Sequence, residues 1–300
     1  MIFLENHLGE FAALLTAIFW TVSALAFESA SNRLGSVPVN ILRLLIGFAF
    51  LSILNLIRRN MLLPSDASAE NWFWLTLSGL VGFVFGDLFL FKSYTIIGSR
   101  FSMLIMTLVP PMTALFGWII MRENLTLLNF LGMTLTFTGI AMAIFSRSGN
   151  GEKLKLKLAP VGVIYALGGA LGQALGLVLS KFGMMDYDPF SATQIRIIAG
   201  IAGFIILVTI MRRWSSVASA TGDAKGMKAL TLGAFFGPFL GVSFSLLSVK
   251  YTKTGIASTI MALTPIFILV PAFFMYRQKV TIPEIIGSVV SVCGVALFFI

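Results

Sequence analysis

Charge is scarce in this 300-residue sequence: Asp, Glu, Lys and Arg together make up 11%, against about 25% in soluble domains. Too few charges remain to cover a water-facing surface, which excludes an ordinary soluble domain. Histidine and cysteine occur once each, as His7 and Cys293. A single cysteine excludes an internal disulfide, a thiolate metal cage and a CxxC redox pair. A single histidine near the N-terminus removes histidine-rich metal sites and Ser-His or Cys-His catalysis within the apolar region. No phosphate-binding loop is present, so neither ATP hydrolysis nor a cofactor or metal is expected. The opening MIFLENHLGEF lacks a basic segment before its apolar run. It reads as a first span retained in the mature protein, not as a cleaved signal.

What the chain has instead is apolar length. Hydrophobic residues make up 58% and the mean hydropathy is +0.96. Runs of about 20 apolar residues recur, the length that crosses a bilayer's hydrocarbon core. They are continuous and do not alternate, which argues against a membrane β-barrel. The expected fold is an all-α polytopic membrane protein with ten transmembrane helices. Its spans are 9–28, 38–57, 72–91, 101–121, 126–145, 160–180, 191–211, 229–249, 256–276 and 281–300. Longer polar connections fall at 58–71, 146–159 and 212–228, and Gly149-Asn150-Gly151 in the middle one reads as a turn. Pro38, Pro160 and Pro189 stand at span starts, where a missing N–H costs least.

The chain also repeats itself. Moved forward by 155 positions without a gap, Leu77–Phe145 lies on Leu232–Ile300. Gly82 then meets Gly237, Gly86 meets Gly241, Pro110 meets Pro265 and Arg122 meets Arg277. Gly132 meets Gly287, and Gly139 meets Gly294. Upstream, Pro38 pairs with Pro189 and Arg43 with Arg196, with a two-residue insertion between. Two units follow, 1–148 and 149–300, of five spans each. An odd span number makes the second unit enter the membrane from the opposite side, so the halves are inverted, as in many transporters whose site lies at the repeat interface. With cytoplasmic termini the inner loops would carry Arg58, Arg59, Arg122, Lys181, Lys250 and Lys253. The outer loops would carry more, among them Lys153, Lys155, Lys157, Arg212, Arg213, Lys225 and Lys228. The positive-inside rule therefore favours external termini.

The ordered motifs resemble the EamA-type transporters of the drug/metabolite transporter superfamily. They are AxxW at Ala17–Trp20, an arginine after a proline-containing loop, KYTxxGIASTIMALTPIFILVPAFFM from Lys250, and GxxxxxxG in both halves. Glu123 in RENLTLLNFLG keeps the family's glutamate after the fourth span, whereas Gln278 in RQKVTIPEIIG departs from it. The resemblance implies transport of small metabolites, often amino acids or their relatives, across a bacterial cytoplasmic membrane without ATP. It also implies cytoplasmic termini, against the loop charges.

Ionisable residues deep in a span are functional candidates because burial in lipid is costly. Asp87 lies well inside the third span, with Val242 at the matching place. It could carry a coupling proton or bind an ammonium group; the alternative is an ion pair with Arg43 or Lys92. Arg43 and Arg196 offer planar forks suited to a carboxylate, but a position within two turns of a span start also lets long side chains reach the interface. Trp20 and Tyr94 could form a stacking wall or simply pack. Gln173 needs partners off its own helix, while Thr107 and Thr264 add polarity or bond their own backbone. Pro110 and Pro265 interrupt matching spans as candidate hinges. Gly82 with Gly86, and Gly237 with Gly241, have the four-residue spacing of close helix packing.

These features point to a secondary carrier of a small polar substrate, working by alternating access in a lipid bilayer, with protons as a possible coupling ion and no nucleic-acid partner. A flippase for a lipid-linked or amphipathic substrate is the first alternative. A membrane-embedded enzyme is disfavoured, since no nucleophile with a base and no paired carboxylates are visible.

Overall fold

The computed structural model describes residues 6–146, 159–264, 266–267 and 282–299, all helical or connecting, with no strand among them. The helices are α1 Leu8–Leu34, α2 Ser36–Arg59, α3 Ala69–Gly79, α4 Asp87–Met106, α5 Val109–Met121, α6 Leu127–Ser146 and α7 Pro160–Met184. They continue with α8 Pro189–Ile210, the short α9 Trp214–Ala220, α10 Ala224–Ala234, α11 Val242–Tyr251, α12 Thr254–Met261 and α13 Ile282–Ala296. Among the described residues six helical runs are long and apolar enough to cross a membrane: Leu8–Leu34, Ser36–Arg59, Ala69–Leu90, Pro160–Met184, Pro189–Ile210 and Ala224–Tyr251. Val109–Met121, Leu127–Met142 and Ile285–Phe299 are shorter apolar helices. Ile57, Leu127, Ile210 and Ile282 are 73–87% exposed, a surface suited to lipid and not to water.

Two helices are each completed by a π-helical turn. Leu80–Gly86 joins α3 to α4, and Phe235–Gly241 joins α10 to α11. The two turns occupy identical places in the 155-residue register. In the second, Pro238 lies inside the turn, where its missing N–H cannot complete an ordinary helical ladder. π turns of this kind are frequent at functional sites.

The connection expected near 92–100 does not form, because α4 runs through it to Met106. The break comes instead at Thr107–Leu108. Pro110 and Pro111 lack N–H groups, and their rings would clash with the carbonyls of Met106 and Thr107. Pro110 therefore stands in the first turn of α5 and does not kink the middle of a span. A turn at Ala262–Leu263, the matching positions, interrupts the second half after α12; Pro265 itself lies outside the described residues. The 212–228 connection also differs from expectation, since it contains α9. Asp223 caps α10 by accepting the N–H groups of Lys225 and Gly226, and it pairs with Arg33 at 2.9 Å. The Gly226 N–H, followed by Arg33, holds the Asp223 carboxyl below the usual carboxylate range.

Buried polar side chains tie the bundle together. Between α2 and α8, Asn55 donates to Gln194 at 2.8 Å, and Gln194 donates to Ser52 at 2.8 Å and to the Leu62 carbonyl at 2.9 Å. Gln194→Leu would leave these partners buried and unpaired, a loss of about 1–3 kcal/mol. We expect a lowered unfolding midpoint in detergent with the substrate affinity of the folded fraction unchanged.

Helix backbones approach closely where the repeated glycines meet. A β-carbon on Gly132 of α6 would lie 2.8 Å from the Gly294 carbonyl of α13, and one on Gly139 would collide with the Gly287 carbonyl and the Ser291 N–H. Register position 132 thus meets the partner of 139, and 139 meets the partner of 132. That exchange is the signature of a two-fold relation, and it makes α6 and α13 antiparallel. The first π turn crosses α7, where a β-carbon on Gly172 would approach the Gly86 Cα to 2.7 Å. The second crosses α1, with Gly241 against Trp20 and Gly237 against Ser23 and Phe27. Gly82, Gly86, Gly237 and Gly241 all stand at these crossings.

Candidate functional site

Both π turns and both helix breaks border one cavity of about 360 Å³. α1 contributes Trp20, Ser23 and Phe27, α2 contributes Arg43, and the first π turn with the start of α4 contributes Phe83 and Asp87. Thr107 and Pro110 come from the first break, Gln173 from α7 and Arg196 from α8. The second half adds Gly237, Pro238, Ser245, Ser258, Ala262 and Thr264. Of the substrate and coupling candidates read from sequence, Asp87, Arg43, Arg196, Trp20, Gln173, Thr107 and Thr264 therefore share one space. The side chain of Tyr94 lies outside the described residues.

Asp87 is the first residue after its π turn and is 6% exposed. Its Oδ2 pairs with the Arg43 guanidinium, and its Oδ1 accepts the Gln173 amide at 2.9 Å. The glutamine's need for an outside partner is met by this carboxylate. Arg196 is 5% exposed, so it reaches no membrane surface. Its guanidinium stands 4.9 Å over the Phe83 ring, and Arg43 stands 5.7 Å from the ring of Phe27. Gly82 makes room for Arg196, since a β-carbon there would lie 3.2 Å from its Nη2. The Nε atoms of both arginines are buried without a hydrogen-bond partner.

A second polar cluster stands at one end of the bundle, about 17 Å along α5 from the cavity at 1.5 Å per residue. Glu123 accepts Lys181 Nζ at 2.6 Å with one oxygen. With the other it accepts the Thr254 N–H at 2.8 Å and hydroxyl at 2.6 Å. Lys181 also donates to the Thr252 carbonyl at 2.7 Å, and the Thr252 hydroxyl donates to Glu10 at 2.6 Å. The start of α1 and the ends of α5 and α7 are thereby bound to the extended Thr252 and to Thr254, the first residue of α12. Glu123 thereby accepts the first N–H of α12. Sequence reading did not foresee its partner Lys181, because a lysine near a span end looks like any interfacial anchor. Gln278, at the register position one residue beyond Arg277, lies outside the described residues.

No group of three or more His, Cys, Asp or Glu side chains suited to a metal occurs among the described residues.

The sequence profile of the EamA-like transporter family matches residues 7–145 and again residues 160–300. An uncharacterized transporter of Bacillus subtilis, YyaM, is 25% identical over 222 residues, covering 72% of this chain and 70% of its own. An uncharacterized transporter of Methanothermobacter thermautotrophicus is 23% identical over 308 aligned positions, covering 98% of this chain and 87% of its own. A protein crystal structure superposes with a TM-score of 0.73 at 16% identity, covering 97% of this chain and 95% of that one. The last likeness speaks for the fold alone.

Proposed function

The chain belongs to the EamA-like transporter family, and on that premise we propose that it carries a small polar metabolite across a bacterial cytoplasmic membrane by alternating access. The substrate class indicated is an amino acid or related compound, moved outward. Membership makes it a multi-pass membrane transporter, with a small-molecule substrate and a lipid surround. The observation that carries the finer reading is the buried Arg43–Asp87–Gln173 cluster with Arg196, in a cavity bordered by corresponding elements of both halves. Charges held at that depth mark substrate or ion paths.

Ten spans in two units, 1–148 and 149–300, fit the repeat. The antiparallel crossing of α6 and α13 through exchanged glycines supports the inverted arrangement, because parallel repeats would place these helices parallel. Such repeats can exchange conformations, so that the cavity opens first to one side and then to the other. Asp87 is the coupling group in this scheme. As a carboxylate it holds Arg43 and Gln173, and on taking up a proton it releases the Arg43 charge.

In this scheme the Glu123–Lys181 cluster is the closure at one end of the bundle. Lys181→Met removes the ammonium bridge to Glu123 and Thr252 and should favour the form open at that end by about tenfold, the effect of ~1.4 kcal/mol. Thiol labelling of a cysteine placed in the cavity, applied from that side, reads the change; an unaltered rate would leave Lys181 a surface anchor.

Counterflow in proteoliposomes against amino acids, nucleosides, sugars and polyamines tests the transport reading. At least one class should exchange. Failure of all of them, with scrambling of a labelled lipid, would favour a flippase.

A further inference from the structure

The buried charges of the cavity do not balance. Arg43 and Arg196 bring two guanidinium groups, and Asp87 brings one carboxylate that Arg43 and Gln173 already occupy. Among the described residues no carboxylate forms an ion pair with Arg196, and its Nε and that of Arg43 lack any acceptor. Phe83 faces the Arg196 guanidinium with its ring, which attracts a cation but does not neutralise it. The neighbouring Ser245, Ser258 and Thr264 hydroxyls donate to carbonyls of their own helices at 2.7–3.1 Å, and none carries charge. A buried charge without a counter-charge is costly, so such groups are retained where a partner meets them.

Resting on the transport reading above, we propose that the transported species is a small organic anion, a carboxylate or a phosphate ester, whose negative group docks on Arg196. The planar fork of Arg196 suits either group as a bidentate partner. An amino acid would qualify when its net charge is negative; a neutral zwitterion or a diamine would bring a cationic group toward a site already in excess of positive charge. Asp87 faces Arg43 from α2, Gln173 from α7 and Arg196 from α8, and no other described charged residue lines the cavity. With Asp87 ionised the site carries one net positive charge, and with Asp87 protonated it carries two. Proton uptake therefore strengthens anion binding, and by reciprocity the anion strengthens proton binding. The anion and the proton travel in the same direction, so an inward proton gradient drives uptake in place of the outward movement taken above.

The test uses the full chain in proteoliposomes and counterflow of five labelled pools: succinate with malate, glycerol 3-phosphate with phosphoenolpyruvate, glutamate with aspartate, glutamine with asparagine, and lysine with putrescine. At least one of the three anionic pools should exchange about tenfold or more faster than glutamine with asparagine, the discrimination that ~1.4 kcal/mol represents. Which of them moves separates carboxylate from phosphate chemistry. The apparent affinity of that pool should tighten as pH falls, and Arg196→Gln should lose at least about tenfold of it while Arg196→Lys keeps a part. Faster exchange of the neutral or cationic pool, or anion affinity that weakens as pH falls, overturns the inference and leaves the transport reading standing. Exchange of no pool, with lipid scrambling, overturns both.

Discussion

Asp87→Asn abolishes uphill accumulation driven by a proton gradient in proteoliposomes, while downhill exchange of the same substrate persists. The amide is nearly isosteric with the carboxylate and can still accept the Gln173 N–H now held at 2.9 Å. The cavity wall and the packing of the π turn against α7 therefore survive. What the variant loses is a site that binds and releases a proton. It also fixes Arg43 without its carboxylate partner, as protonation would do transiently. Substrate binding then no longer depends on pH through this residue, and a gradient has nothing to act on. Accumulation measured against pH, beside counterflow at equal pH on both sides, separates coupling from translocation. Wild-type accumulation at every pH would remove Asp87 from coupling and leave it as the structural partner of Arg43.

Gly139→Leu prevents accumulation of folded protein. At this crossing the α13 backbone lies where a side chain would have to go, since even a β-carbon meets the Gly287 carbonyl and the Ser291 N–H. Backbone of a packed helix cannot move aside as a flexible side chain can. Overpacking typically costs about 1–3 kcal/mol and occasionally more, and the upper end applies where both walls are backbone. In lipid the association of these helices depends on close van der Waals packing by small residues, so lost approach is not recovered elsewhere. The variant should yield little monodisperse protein in detergent, and a midpoint well below wild type in what remains. A midpoint within about 2 °C of wild type would contradict the crossing, because ~1 kcal/mol moves a domain of comparable size by about 2–4 °C.

Much of this arrangement is legible in the sequence. Glycines and prolines constrain backbone geometry, so their shared 155-residue register marks Gly82, Gly86, Gly237 and Gly241 as close-packing positions and pairs Gly132 with Gly287 and Gly139 with Gly294; the π turns themselves leave no such mark. Asp87, Arg43, Arg196 and Gln173 stood out because charge and amide are rare in so apolar a chain. The break before α5 was misplaced, because Lys92 and Arg100 resemble span ends in sequence. The actual constraint is Pro110-Pro111, and it acts on carbonyls four residues upstream. The arginines looked like interfacial anchors by distance from their span starts. In fact α8 begins at Pro189, and the small Gly82 admits the Arg196 guanidinium inside the bundle. The Glu123–Lys181 bond joins residues 58 positions apart, and no local pattern could have announced it.

Accessibility of a single cavity thiol tests alternating access most directly. Cys293 is exposed and would be replaced by serine, with Thr264→Cys as the sole thiol on the cavity wall. In oriented proteoliposomes a membrane-impermeant maleimide is applied from one side or the other. Labelling is expected from both sides, slowed from each by a transported substrate, and Lys181→Met should raise the rate on the side it closes. Labelling from one side only, under every gradient and substrate condition, would contradict alternating access.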